Sequence, residues 1–193
     1  MNKDLKILIA GVGGQGTLYA SKVLGQYAAA LGLDCKLSEV HGMAQRGGSV
    51  VTHVCMGKKV YSPMVPIGGA DVLLAFEALE SLRYIEYLKK SGTVLANAQT
   101  IKPLPVVTGE AVYPSGISEA FKNAGIKATF IDALGISQQC GGKKFVNSVM
   151  LGVLCKCVGL DAAVMKRAIA ECTPEKFVEL NLNAFEAGYA TGL

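Results

Sequence analysis

Short apolar runs alternate along this chain with amphipathic stretches of helical period, the pattern of strands interleaved with helices. Residues 6–10 read as a strand, 11–16 as a glycine turn and 17–31 as a helix closed by Gly32. A second strand at 34–40 makes the opening a β-α-β unit. Residues 49–56 alternate well enough for a third strand, and Gly57-Lys58 offers a hairpin turn into a further one at 59–61. Pro63, Pro66 and Gly68-Gly69 mark an irregular connection. Strands are then expected at 71–76, 93–96, 106–112 and 127–132, with helices at 78–88 and 117–124.

From Lys144 onward the pattern is wholly helical. The 144–158 segment is apolar on most of its surface and should pack into the main core. Asp161 is a good N-cap for a helix over 162–171, and Thr173-Pro174 opens another that runs to about Ala187 before Gly188. The expected fold class is α/β: three αβα layers around a mixed, mostly parallel sheet, with a Rossmann-like βαβ start and a helical C-terminal third. Residues 1–193 are read as a single domain.

Composition supports a compact, core-rich protein. The chain is 51% hydrophobic and has no tryptophan, and its mean hydropathy of +0.37 argues against disorder. A net charge of +4 without a basic cluster gives nucleic-acid binding little support. The N-terminal residues lack the pattern of a secretory signal, so the cytoplasm is expected. The apolar run 145–160 carries Asn147, Ser148 and Lys156 and is too short and too polar to span a membrane. Six cysteines, Cys35, Cys55, Cys140, Cys155, Cys157 and Cys172, include no Cys-x-x-Cys pair. They read as buried inert thiols, and no metal site is expected.

Two segments carry candidate chemistry. Gly11, Gly13 and Gly16 have Gly-x-Gly-x-x-Gly spacing between a strand and a helix, with Gly14 and Gln15 between them. Such a turn lets backbone approach a ligand and aims helix-terminal amides at an anion. The same glycines could equally serve close packing or a partner chain, and Glu39 stands where a dinucleotide-binding domain keeps its ribose carboxylate. The second segment runs from Glu39 to Val51 and contains His41, Arg46, Gly47 and Gly48. Glu39 and His41 share one face of an extended strand, so the carboxylate could orient the imidazole as a general base, or His41 could bond across an interface. Arg46, beside two glycines, could hold a carboxylate or phosphate bidentately, or form an intersubunit ion pair. His53, within an alternating strand, reads as structural.

With Gly-Val-Gly-Gly-Gln-Gly at 11–16 and His-Gly-Met-Ala-Gln-Arg-Gly-Gly at 41–48, the chain resembles the gamma-type domain of 2-oxoacid:ferredoxin oxidoreductases. The second motif is most similar to the indolepyruvate branch. The resemblance is specific over residues 6–56 and more diffuse beyond. It implies a part in coenzyme A-dependent oxidative decarboxylation of an aryl-pyruvate, with electrons passed to ferredoxin. It also implies an obligatory large partner subunit carrying thiamine diphosphate and iron–sulfur clusters, because this chain has neither the cysteine spacing nor the thiamine motif. Coenzyme A is then a co-substrate and ferredoxin is reached through the partner.

On this reading the catalytic candidates are His41, Arg46 and Glu39, and the ligand- or partner-contacting loops are Gly11, Gly13, Gly14, Gln15, Gly16, Gly47 and Gly48. The alternatives are a subunit acting on pyruvate or 2-oxoglutarate, a stand-alone NAD-binding reductase using Gly11, Gly13, Gly16 and Glu39, and a purely structural adaptor.

Overall fold

The computed structural model describes residues 4–41 and 47–191, the side chain of His41 excepted. Strands β1 (Leu5–Val12), β2 (Asp34–His41), β3 (Ser49–Gly57), β4 (Ala70–Ala75), β5 (Leu88–Asn97) and β6 (Ala128–Ile131) form one sheet, ordered β2-β3-β1-β4-β5-β6. From β1 to β6 all neighbours are parallel, whereas β3 is antiparallel to both β1 and β2. The helices are α1 (Thr17–Ala30), α2 (Ala78–Arg83), α3 (Leu104–Val107) and α4 (Ile117–Asn123), followed by α5 (Ala133–Gln139), α6 (Val146–Val158), α7 (Ala162–Cys172) and α8 (Val178–Tyr189).

Strand alternation sorts the core into two halves. Ile7 and Ile9 of β1 pack with residues of α1, α6, α7 and α8 on one face. Leu8 and Ala10 pack with Ala78 of α2 and with Ile117 and Phe121 of α4 on the other. Phe76 and Phe185 are fully buried, each side chain contributing about 1.5–3 kcal/mol of transfer free energy. Because α1 leaves β1 toward one face and α2 leaves β4 toward the other, the C-terminal ends of β1 and β4 bound a crevice at the switch point of the sheet.

The three-layer α/β architecture, the mixed sheet and the helical last third are as the sequence predicts. The β-α-β opening is split, however: β2 runs parallel to β1 but lies beyond β3. The expected strand at 59–61 is not formed, since the Val60 amide donates to the Asp34 carboxylate at 2.8 Å rather than to a strand. The expected strand at 106–112 is instead the short helix α3 and irregular chain, because Pro103 and Pro105 suit a first helical turn and β5 pairs directly with β6. The 78–88 helix stops at Arg83, passes through a 3-10 turn and gives way to β5, where Leu88 pairs with Ala70.

Thr173 closes one helix rather than opening the next. Its hydroxyl donates to the Ile169 carbonyl at 2.6 Å, and α8 starts only at Val178 after a 3-10 turn. Helix α5 went unforeseen although Asp132 caps it, accepting from the Gly135 amide at 2.9 Å.

Candidate functional site

The glycine turn between β1 and α1 opens into the crevice. Gly16 has φ 77°, a left-handed conformation that disfavours any side chain, and a Cβ there would lie 2.9 Å from Nδ2 of Asn147. Gln15 folds back over the strand ends, its Oε1 accepting from the Val12 amide and its Nε2 donating to the Phe76 carbonyl, both at 2.8 Å. The Asn97 amide reaches the same carbonyl at 3.2 Å, so side chains from two segments tie the ends of β1, β4 and β5 together. Gln15 is thus committed to the protein's own backbone.

The second motif meets the first. The Gly13 amide donates to the Gly48 carbonyl at 2.8 Å, and the Gly47 amide donates back to the Gly13 carbonyl at 3.2 Å. Gly13, Gly47 and Gly48 therefore form one paired edge at the mouth of the crevice. Residues 42–46, Arg46 among them, and the His41 side chain lie outside the described residues.

Glu39 stands apart from that edge. It is exposed on β2, where its carboxylate accepts from the Ser21 hydroxyl of α1 at 3.1 Å. With β3 intervening, β2 is two strand spacings from β1, roughly 10 Å. A ribose carboxylate in a dinucleotide fold belongs on the neighbouring strand, so the NAD reading loses its second anchor. His53 is a structural residue: it is buried, its Nδ1 accepts from the Val65 amide at 3.1 Å, and burial lowers its pKa.

The crevice widens into a cleft of about 740 Å³ whose far wall comes from the C-terminal helices. Lys143, Lys144, Asn147, Thr173 and Phe177 line it opposite the glycine turn. No aspartate or glutamate is among the described lining residues, so the two lysines set its charge. Helix α1, and α6 with the 3-10 turn that leads into it, both begin at this cleft without a side-chain cap, which brings the positive ends of both helix dipoles to it.

Asn147 is buried, its Nδ2 donates to the Gln15 carbonyl at 2.8 Å, and its Oδ1 has no partner among the described residues. The phenol of Tyr19 shares a 2.7 Å hydrogen bond with Thr173, and burial raises its pKa. This arrangement can bind an anion and orient a donor group, and its described side chains supply no carboxylate or imidazole for proton transfer at neutral pH.

The far wall was missed by sequence reasoning. Its one local signal is Gly141-Gly142-Lys143-Lys144 immediately before an apolar helix, where both glycines have positive φ, 114° and 144°. Nothing in the linear pattern says that this turn faces residues more than a hundred positions earlier.

The cysteines do not fit a cluster. Among the described residues no group of three or more His, Cys, Asp or Glu side chains could hold a metal ion. Cys155 donates to the Leu160 carbonyl at 3.3 Å, and burial pushes its pKa up to about 12. Burial likewise pushes Cys35 up to about 11. Neutral thiols in apolar surroundings are poor metal ligands. No described helix is long and apolar enough to cross a membrane.

Comparison with known proteins places these features in a family. The description "pyruvate ferredoxin/flavodoxin oxidoreductase" matches residues 6–191. An indolepyruvate oxidoreductase subunit IorB from Thermococcus kodakarensis is 42% identical over 192 residues, covering 96% of this chain and 95% of that one. The pyruvate oxidoreductase subunit PORC of Thermotoga maritima shares the fold with a TM-score of 0.73 at 22% identity, covering 97% of this chain and 96% of that one. A 2-oxoglutarate:ferredoxin oxidoreductase of Magnetococcus marinus, solved with 2-oxoglutarate, coenzyme A and succinyl-CoA bound, shares it with a TM-score of 0.73 at 19% identity. That match covers 98% of this chain and 31% of the other. Sequence over almost the whole length and fold agree, and the chain belongs to the pyruvate ferredoxin/flavodoxin oxidoreductase family.

Proposed function

We propose that this chain is the small subunit of an indolepyruvate-type 2-oxoacid:ferredoxin oxidoreductase that turns an aryl-pyruvate and coenzyme A into an aryl-acetyl-CoA. Thiamine diphosphate and the iron–sulfur clusters sit on a large partner subunit, which also passes electrons to ferredoxin. Support for the substrate class comes from the 42% identity to an IorB subunit and from the motif at 41–48. The cleft carries the assignment of a role: the positive ends of two helix dipoles and two lysines around 740 Å³ suit the phosphates of coenzyme A. The small subunit then holds a co-substrate against the site on its partner.

The test is reconstitution with the large subunit. The double variant Lys143→Ala/Lys144→Ala should raise KM for coenzyme A by about tenfold, equivalent to 1.4 kcal/mol, and leave KM for indolepyruvate unchanged. A coenzyme A KM within about twofold of wild type, a shift below 0.5 kcal/mol, would rule out the cleft as its phosphate site.

Arg46 is assigned to the partner or its bound ligand, on the strength of its place between the motif strand and Gly47-Gly48. Truncating an arginine paired across a desolvated interface costs about 2–5 kcal/mol, against at most about 1 kcal/mol for an exposed pair. Arg46→Ala should therefore leave the isolated chain folded while weakening assembly or turnover at least about thirtyfold, or 2 kcal/mol. Less than threefold on both measurements contradicts the assignment.

A further inference from the structure

Helix α2 lies on the opposite face of the sheet from the glycine-turn helix, yet it directs a buried carboxylate at the second motif. Glu80 is only 3% exposed. Its backbone amide is already capped by Glu77 at 3.1 Å, so its own side chain is not needed to start the helix. That side chain accepts a short hydrogen bond from the Ser49 hydroxyl, which also lies 3.0 Å from the Tyr84 hydroxyl. Arg83 approaches the second carboxylate oxygen at 3.3 Å, from a half-exposed position.

Ser49 is the first residue of β3 and pairs in register with Val12, the residue before Gly13. The residue before Ser49 is Gly48, whose carbonyl accepts from the Gly13 amide. A continuous set of bonds thus runs from α2 through Ser49 to the paired glycine edge of the cleft. A buried carboxylate is costly to keep, and its removal leaves Ser49 with Tyr84 as its only described partner.

We infer that Glu80 is a positioning residue for the reaction: through Ser49 it sets where Gly47 and Gly48 stand against Gly13. The inference rests on the proposed function for its activity readout. Burial raises the pKa of Glu80, the Ser49 bond and Arg83 oppose that rise, and Glu77 adds to it. Ser49, Tyr84, Arg83 and Glu77 are the described groups that face it.

The experiment reconstitutes four variants, Glu80→Gln, Glu80→Leu, Ser49→Ala and Glu80→Leu/Ser49→Ala, with the large subunit, and measures kcat and both KM values for turnover of indolepyruvate with coenzyme A. Glu80→Leu and Ser49→Ala are each expected to lower kcat by about tenfold with little change in either KM, and the double variant should be no worse than either, as for two members of one connection. Glu80→Gln keeps an acceptor for Ser49, so it should retain activity where Glu80→Leu does not. Full activity in Glu80→Leu, multiplicative losses in the double variant, or a loss in Glu80→Gln as large as in Glu80→Leu would overturn the inference.

Failure of the proposed function has a different signature, namely no turnover by the wild-type complex. In that case amide exchange decides. Glu80→Leu, but not Glu80→Gln, should lose about tenfold protection at Gly13 and at residues 47–50, and equal protection in all variants would overturn the inference.

Discussion

Gly188→Val is expected to yield no soluble folded chain, and Gly188→Ala to lower stability by about 3 kcal/mol or more, beyond the usual range for an overpacked core. Helices α6 and α8 cross so closely that a Cβ at Gly188 would stand 2.0 Å from the Val149 carbonyl oxygen. A Cβ at Gly152 would stand 2.2 Å from the Phe185 carbonyl oxygen. In both cases the obstacle is backbone within a helix, which no rotamer change can move. Ser148 and Asn181 add a buried 2.6 Å hydrogen bond across the same crossing, so the helices cannot separate without breaking it.

Since α6 is buried from Val146 to Cys155 and forms the floor of one core, the displacement would propagate into the sheet. A loss near 3 kcal/mol is a large share of the roughly 5–15 kcal/mol that holds a domain together. Urea unfolding of Gly188→Ala beside wild type measures it, and a shift under about 1 kcal/mol would show that the crossing has room. Gly25→Ala is the contrasting case. Gly25 lies in the middle of α1, where an added Cβ would make an ordinary 3.5 Å contact with Leu37 of β2, and the better helix former should stabilise the chain by about 0.5–1 kcal/mol.

Gly16→Val should abolish most activity of the reconstituted complex while leaving part of the chain's stability. At φ 77° a residue with a Cβ is strained, by about 1–2 kcal/mol and more for a β-branched side chain. The added atoms also strike Asn147 at 2.9 Å, and this side chain donates to the Gln15 carbonyl and fixes the turn against α6. Strain and displacement act at the same point, where α1 begins at the cleft.

Gly14→Ala separates the two effects, because Gly14 has φ 102° but nothing within 4 Å of its Cβ. It should lower the melting temperature modestly and change KM for coenzyme A less than Gly16→Val, which should raise that KM by at least about tenfold, or 1.4 kcal/mol. Equal kinetics for the two variants would show that Asn147 does not need to hold the turn.

What the linear chain determined was local. Alternation placed β1, β2, β3 and β4 within two residues of their ends, because a buried strand must present apolar side chains with period two. The α1 and α7 boundaries were legible from Gly32 and Asp161, since capping is settled by neighbours in sequence. The two motifs were legible for the same reason: each is contiguous, with its spacing written in the chain.

What only the tertiary structure decided was every pairing between distant segments. The antiparallel insertion of β3 moves Glu39 away from the glycine turn, and no property of either segment alone expresses that order. Residues 106–112 have strand-like apolar character, yet β5 pairs directly with β6 and Pro103 and Pro105 start a short helix there instead. Lys143, Lys144 and Asn147 reach the cleft only because α6 packs beneath the sheet, through close contacts at Gly152 and Gly188. Such choices rest on volume and hydrogen-bond partners contributed from both sides of a contact, and a sequence read one window at a time contains only one side.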